Sequence, residues 1–257
     1  MWKTKLGICI YESPSGYKVY QNLLYRWLTL GSNALQTVIN RRQPQKPVLY
    51  YLPMLTLMAR HYPQAACLLG LGGAGIPLML SQDHSSPPLI AVDISEEVID
   101  IAKRFFIGEG LKNFTIVQEN AMDYVKNSPE TYPHLMVDLY NANYFPPECN
   151  NDLFFSSCNR ILAEDGFLAV NLANRKEQWP IVQLIKKHFA HTLIIPVKKS
   201  ANMVVIAAKC PSKESFFTKV EASGELKRII WIDSWGYVGL ESPESGAKRL
   251  MRAFIGI

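Results

Sequence analysis

The sequence contains no C-x-x-C pair and no H-E-x-x-H stretch, so the common structural-zinc and metalloprotease patterns are excluded and no metal is expected. Its five cysteines, Cys9, Cys67, Cys149, Cys158 and Cys210, are odd in number and scattered. Free thiols in a reducing compartment, the cytoplasm, are the expectation. No apolar run is long enough to cross a bilayer, and the opening MWKTKLGICIYES reaches Glu12 without a small-residue cleavage site, so neither a membrane partner nor a signal peptide is expected. Dense basic runs are missing too: the net charge of +5 is spread along the chain, with Asn40-Arg41-Arg42 and the Lys-Lys pairs beginning at Lys186 and Lys198 as its thickest spots. These read as solvated faces, and no nucleic-acid partner is expected. Internal repeats and low-complexity segments are absent as well.

What is present is an ordinary globular composition, 48% hydrophobic over 257 residues, enough to bury a full core. Residues 1–47 read as a small β-strand region: YKVYQ from Tyr17, YRWLTL from Tyr25 and ALQTVIN from Ala34 alternate or are β-branched, with Gly16, Gly31 and Ser32 between them. A helix from Pro53 to Tyr62 follows. Across 48–210 apolar strands and periodic helices take turns. ACLLGL, LIAVDI, FTIVQE, HLMVDLY and GFLAVNL are the strands, and HTLIIPV and NMVVIAAK close as an antiparallel pair. Such buried strands between helices predict an α/β fold with a parallel sheet. Residues 211–257 are read as a C-terminal extension packed on the same domain: SKESFFTKV helical, LKRIIWIDSWGYVGL strand-like and ESGAKRLMRAF a final helix.

In an open parallel sheet the ligand sits beyond the carboxyl ends of the strands, so the residues at those ends are the candidates. The first strand delivers LLGLGGAGIPLML, where Gly70, Gly72 and Gly75 fit a G-x-G-x-x-G turn that lets a ligand approach the backbone. The second ends at Asp93, whose carboxylate can accept from both hydroxyls of a ribose. Asn120 follows the third strand, where its amide meets an adenine edge, and the fourth delivers Asp138, Tyr140, Asn141 and Asn143. Each has a second use: a glycine turn packs a helix on a strand, and Asp93 and Asn120 cap the helices that follow them. Taken in order, the four positions favour a nucleoside. A dinucleotide stays open, because the interval from Gly75 to Asp93 suits it too. Tyr140, Tyr144 and Phe145 are expected to form an aromatic acceptor pocket.

These stretches, together with AVDISEEVIDIAKRFF, IVQENAMDYV and the preceding YRWLTLGSNALQTVIN and YYLPML, resemble the spermidine synthase family of class I S-adenosylmethionine-fold transferases from Tyr17 to Lys209. The resemblance implies a seven-stranded Rossmann-like methyltransferase sheet with a small N-terminal β-strand appendage, assembled as a homodimer. It implies an adenosyl-sulfonium cofactor, S-adenosylmethionine or its decarboxylated form. Gly70, Gly72 and Gly75 would line it, Asp93 would hold the ribose, Asn120 and Ala121 would meet the adenine, and Gln36 would lie near the reacting groups. The acceptor would be a small molecule, an amine among the candidates. Asn141 stands at the family's base position and cannot take a proton at neutral pH. Tyr51-Leu52-Pro53 replaces the family's Tyr-His-Glu stretch, and Gly73 replaces an Asp of the glycine loop. The departures imply a transferase with a changed acceptor, methyl transfer included, rather than ordinary spermidine synthesis. An aminopropyltransferase using Asp138 or Tyr140 as its base, and a non-catalytic nucleoside-binding or dimerisation module, are the alternatives.

Overall fold

The computed structural model describes residues 2–32, 34–81, 83–108, 111–140, 144–210 and 212–242. Four short strands open the chain: β1 (Ile8–Glu12), β2 (Tyr17–Gln21), β3 (Tyr25–Leu30) and β4 (Leu35–Asn40). They form an antiparallel meander in that order. Gly16 and Gly31 turn it at φ of 78° and 64°, a region that costs glycine nothing. Three of the strands match the expected ones. β1 is an addition, its short alternation lying in the stretch weighed above only as a leader.

After the meander, α1 (Leu52–Leu55) and α2 (Leu57–His61) replace the single helix expected from Pro53 to Tyr62. The break falls at Thr56, whose hydroxyl donates to the Leu52 carbonyl at 2.8 Å. A hydroxyl bonding back one turn competes with the helix for that carbonyl.

The α/β part then alternates as read: β5 (Ala66–Leu69), α3 (Gly75–Leu80), β6 (Leu89–Asp93), α4 (Glu96–Ala102), β7 (Phe114–Gln118), α5 (Ala121–Asn127) and β8 (Tyr132–Val137). There follow α6 (Asp152–Ile161), β9 (Leu162–Leu172), α7 (Arg175–His188), β10 (His191–Pro196), β11 (Met203–Ala208) and α8 (Lys213–Glu221). Ser95 caps α4 by accepting from the Val98 amide at 3.2 Å, with Glu96 and Glu97 in the first turn, where carboxylates suit the helix dipole. The expected seven strands are there, in the order β10-β11-β9-β8-β5-β6-β7. Only β11 runs against its neighbours β9 and β10.

The sheet holds nine strands rather than seven. β12 (Leu226–Ile232) and β13 (Gly236–Glu241) extend it past β10, with β13 parallel to β10 at Leu193 and Ile194. The strand-like stretch of the tail is therefore a hairpin, turned at Asp233–Trp235, that covers what would have been an open edge. The final helix expected at ESGAKRLMRAF lies outside the described residues.

Apolar layers cover both faces of the large sheet. Leu52, Leu57, Met79 and Phe216 belong to one, and Val125, Phe154, Phe155 and Ile181 to the other. The meander docks through Val19, Leu28 and Ile39 against Leu78, Ile101 and Phe106. This sets β4 beside the turn that follows β5, and so over the carboxyl ends of the parallel strands. Among the described residues no helix is long and apolar enough to cross a membrane.

Candidate active site

The turn after β5 is shaped by close approach. Gly70 sits at φ 96°, and a Cβ there would lie 2.3 Å from the main-chain oxygen of Asp138, so no larger residue fits without moving backbone. Gly72 is also left-handed, at φ 51°. Gly73 donates its amide to Thr37 Oγ1 at 2.8 Å, tying the turn to β4. Gly75 differs: a Cβ there would make only ordinary contacts, 3.6 Å to Leu52 and 3.8 Å to Thr37, so its place in the spacing is not dictated by steric need.

Asp93, the last residue of β6, reaches back to the same turn. Its carboxylate accepts from the Leu71 amide at 2.9 Å and from the Ser95 amide at 3.0 Å. Burial lifts its pKa while these amide bonds pull it down, and burial prevails. Asn120 caps α5, its Oδ1 accepting from the amides of Met122 at 2.8 Å and Asp123 at 3.4 Å. The oxygen of the amide expected at an adenine edge is thus engaged by the helix, and what the side chain leaves for a ligand is its Nδ2 donor. Ala121 begins α5 and is buried.

At the end of β8, Asp138 is the hub of a polar chain. Tyr51 donates its hydroxyl to Oδ2 at 2.9 Å, and Asn171 Nδ2 donates to Oδ1 at 2.8 Å. Asn202 Nδ2 donates to Asn171 Oδ1 at 2.8 Å, and the Ser200 hydroxyl donates to Asn202. Burial raises the Asp138 carboxyl above the usual carboxylate range against the pull of Asn171 and Tyr51. The Tyr51 phenol is pushed well up by burial and by the Asp138 charge. Tyr140 is pushed up to about 12, chiefly by burial, and its hydroxyl accepts from the Asn174 amide at the start of α7. Such a phenol stays protonated at neutral pH and is a poor base.

Two adjoining cavities open here. The smaller, about 170 Å³, is bounded by Asp93, Ile94, Asn120, Ala121 and Leu139. The larger, about 770 Å³, is bounded by Thr37, Tyr51, Asn171, Arg175 and Lys199. Gln36, Gly70, Gly72, Asp138 and Tyr140 border both. The arrangement offers a narrow slot leading past the Asp138 carboxylate into a second chamber. Among the described residues no group of three or more His, Cys, Asp or Glu could hold a metal ion.

Of the sequence candidates, Gln36, Gly70, Gly72, Asp93, Asn120, Ala121, Asp138 and Tyr140 come together, and Gly75 borders the larger cavity. Asn141 and Asn143 lie outside the described residues. The aromatic acceptor pocket does not form as expected. Phe145 is in the core against Phe154 and Phe155, at ring separations of 6.2 and 6.5 Å, and Tyr144 is exposed. Sequence reasoning missed Thr37, Asn171 and Asn202, and saw Tyr51 only as part of an altered stretch. Asn171 did leave a signal, an amide within the apolar run GFLAVNL, because a buried amide requires partners.

No protein-family model matches the chain. A polyamine aminopropyltransferase of Neisseria meningitidis serogroup A is 27% identical over 203 residues, covering 76% of this chain and 77% of the relative. A probable spermidine synthase from Corynebacterium glutamicum superposes with a TM-score of 0.69 at 14% identity, over 98% of this chain and 94% of its own. A spermidine synthase in complex with the transition state analogue AdoDATO superposes with a TM-score of 0.62 at 18% identity, over 78% and 73%. The chain is thus similar in sequence to polyamine aminopropyltransferases, and its strand order, with the meander set over the strand ends, goes with the fold it shares with the spermidine synthase structures.

Proposed function

We propose that the chain is a transferase of the spermidine synthase type, which binds an adenosyl-sulfonium donor in the smaller cavity and passes a group to a small-molecule acceptor in the larger. The observation that carries this reading is the junction: Asp138, Gln36 and the left-handed glycines Gly70 and Gly72 border both chambers. The donor is S-adenosylmethionine or its decarboxylated form, and the name of the Neisseria relative favours the second.

The residues fit such a group. Gly70 and Gly72 present bare backbone, Gly75 starts the helix behind them, and Asp93 accepts the ribose hydroxyls on the lone pairs its amide partners leave. Asn120 donates Nδ2 to the adenine edge, with Ala121 beneath it, and Gln36 orients the reacting ends. A sulfonium supplies an electrophilic carbon: an incoming lone pair forms the new bond while the carbon–sulfur pair departs with sulfur, leaving a neutral thioether. Asp138 deals with the proton. An ammonium acceptor has no lone pair until it is deprotonated, and a carboxylate whose pKa is raised by burial takes a proton more readily than an ordinary one. Tyr51 and Asn171 fix its direction. A cytoplasmic homodimer goes with this reading and is checked by cell fractionation and sedimentation.

Calorimetric titration with methylthioadenosine, S-adenosylmethionine, its decarboxylated form and NAD tests the core of it. Binding of the adenosyl-sulfur compounds but not NAD is expected, with affinity reduced on the order of a hundredfold in Asp93→Ala, because a ribose hydrogen-bonded to a carboxylate loses charge-assisted bonds. Binding of NAD alone, or of none, overturns the reading. The last outcome is what a non-catalytic module without its nucleoside would give.

A further inference from the structure

The larger cavity has a charge pattern that does not suit a polycation. Among its described lining residues there is one carboxylate, Asp138, and there are two cations: Arg175, at the start of α7, and Lys199, in the turn between β10 and β11. Neither cation has an ion-pair partner among the described residues. Nearby charges are turned elsewhere. Lys198 donates to the Glu241 carbonyl at 2.8 Å, and the Glu177 carboxylate accepts from the Phe145 amide at 3.2 Å. The remaining polar lining, which includes Gln36, Tyr51, Asn171, Ser200 and Asn202, is all neutral.

A diamine entering this chamber brings two ammonium groups. Asp138 can receive the one that reacts, but the other then faces Arg175 and Lys199 with no acid to meet it, and a desolvated ammonium beside like charges is strongly disfavoured. An acceptor with an amine at one end and a carboxylate at the other reverses the balance. Its nitrogen lies at Asp138, and its carboxylate takes the forked guanidinium of Arg175 and the ammonium of Lys199.

We propose that the acceptor is an amino carboxylate, held by Arg175 and Lys199 at its acid end and presented to Asp138 by its amine. The proposal rests on the transferase reading and deepens it by naming the acceptor class. Bond-making is as described there: the acceptor nitrogen gains the carbon that leaves sulfur, and the displaced proton passes to Asp138.

The test uses the full chain in two titrations. Methylthioadenosine, which is uncharged, is titrated alone. The saturated complex is then titrated with glycine, alanine, glutamate and γ-aminobutyrate, and with putrescine and cadaverine. The best amino carboxylate is expected to bind at least about tenfold tighter than either diamine. In the doubly reversed variant Arg175→Glu, Lys199→Glu the order inverts, while methylthioadenosine affinity holds and the melting curve confirms folding. A graded variant, Arg175→Gln, Lys199→Gln, falls between. Diamine preference in the parent, an order indifferent to charge reversal, or no binding by any of the six overturns the acceptor class while leaving the transferase reading intact. Failure of methylthioadenosine to bind overturns both, and the first titration alone reports it.

Discussion

A carboxylate held by two neutral donors, Tyr51 and Asn171, is costly to keep charged, and Asp138 carries that cost in its raised pKa. A group raised in this way contributes stability that is complete below its unfolded pKa, about 4, and is lost as the pH climbs through its folded value. Replacing it with a neutral amide removes the dependence. Asp138→Asn should therefore unfold at a urea concentration that varies less with pH above about 4, and at pH 8 it should be more stable than the parent. Activity moves the other way: turnover falls about a hundredfold or more and the acidic limb of the pH–rate profile disappears. A variant that is less stable yet fully active would show that Asp138 is a structural anchor and no base.

At the scale of elements, the contact to examine is the bond between β4 and the glycine turn, Gly73 N to Thr37 Oγ1. Thr37→Val keeps the shape and deletes the acceptor, leaving a buried amide without a partner. A loss of about 1–2 kcal/mol in denaturant unfolding is expected, with a several-fold weaker methylthioadenosine affinity in calorimetry. An unchanged affinity would mean that the meander does not steady the turn. This bond also shows where the sequence could be read and where it could not. The strand ends carrying Gly70, Asp93, Asn120 and Asp138 were legible because period and turn chemistry fix them locally. Thr37, Tyr51, Asn171 and Asn202 act across 31 to 87 residues of chain, and no local pattern carries such a pairing. The tail stretch read as strand-like, but its place in the large sheet was not legible for a related reason: β13 pairs with β10 across more than forty residues of chain, and β12 joins the sheet only through β13.

Across the whole molecule, the tail hairpin is fastened at its base by Arg60 and Glu225, whose side chains are 14% and 13% exposed and meet at 2.6 and 3.1 Å. His61 reaches the same carboxylate at 3.2 Å. Cutting one partner from a largely buried pair strands the other, so Glu225→Ala should cost about 3 kcal/mol at neutral pH. Denaturant unfolding measures the cost, and a loss within error of zero would show that the hairpin holds by strand pairing alone. The cysteines lend themselves to a different use. Only Cys9 is exposed; Cys67, Cys149, Cys158 and Cys210 are buried, and burial pushes the thiols of Cys67 and Cys149 up to about 12, so they are poor nucleophiles while the fold is closed. An excess of a coloured disulfide reagent should accordingly release one equivalent at once and the other four only as fast as the interior opens, with a ligand that tightens the strand ends slowing the second phase. The same scattered thiols that gave no zinc pattern make the chain a clock for its own unfolding, readable in native buffer without a mutation or an attached dye.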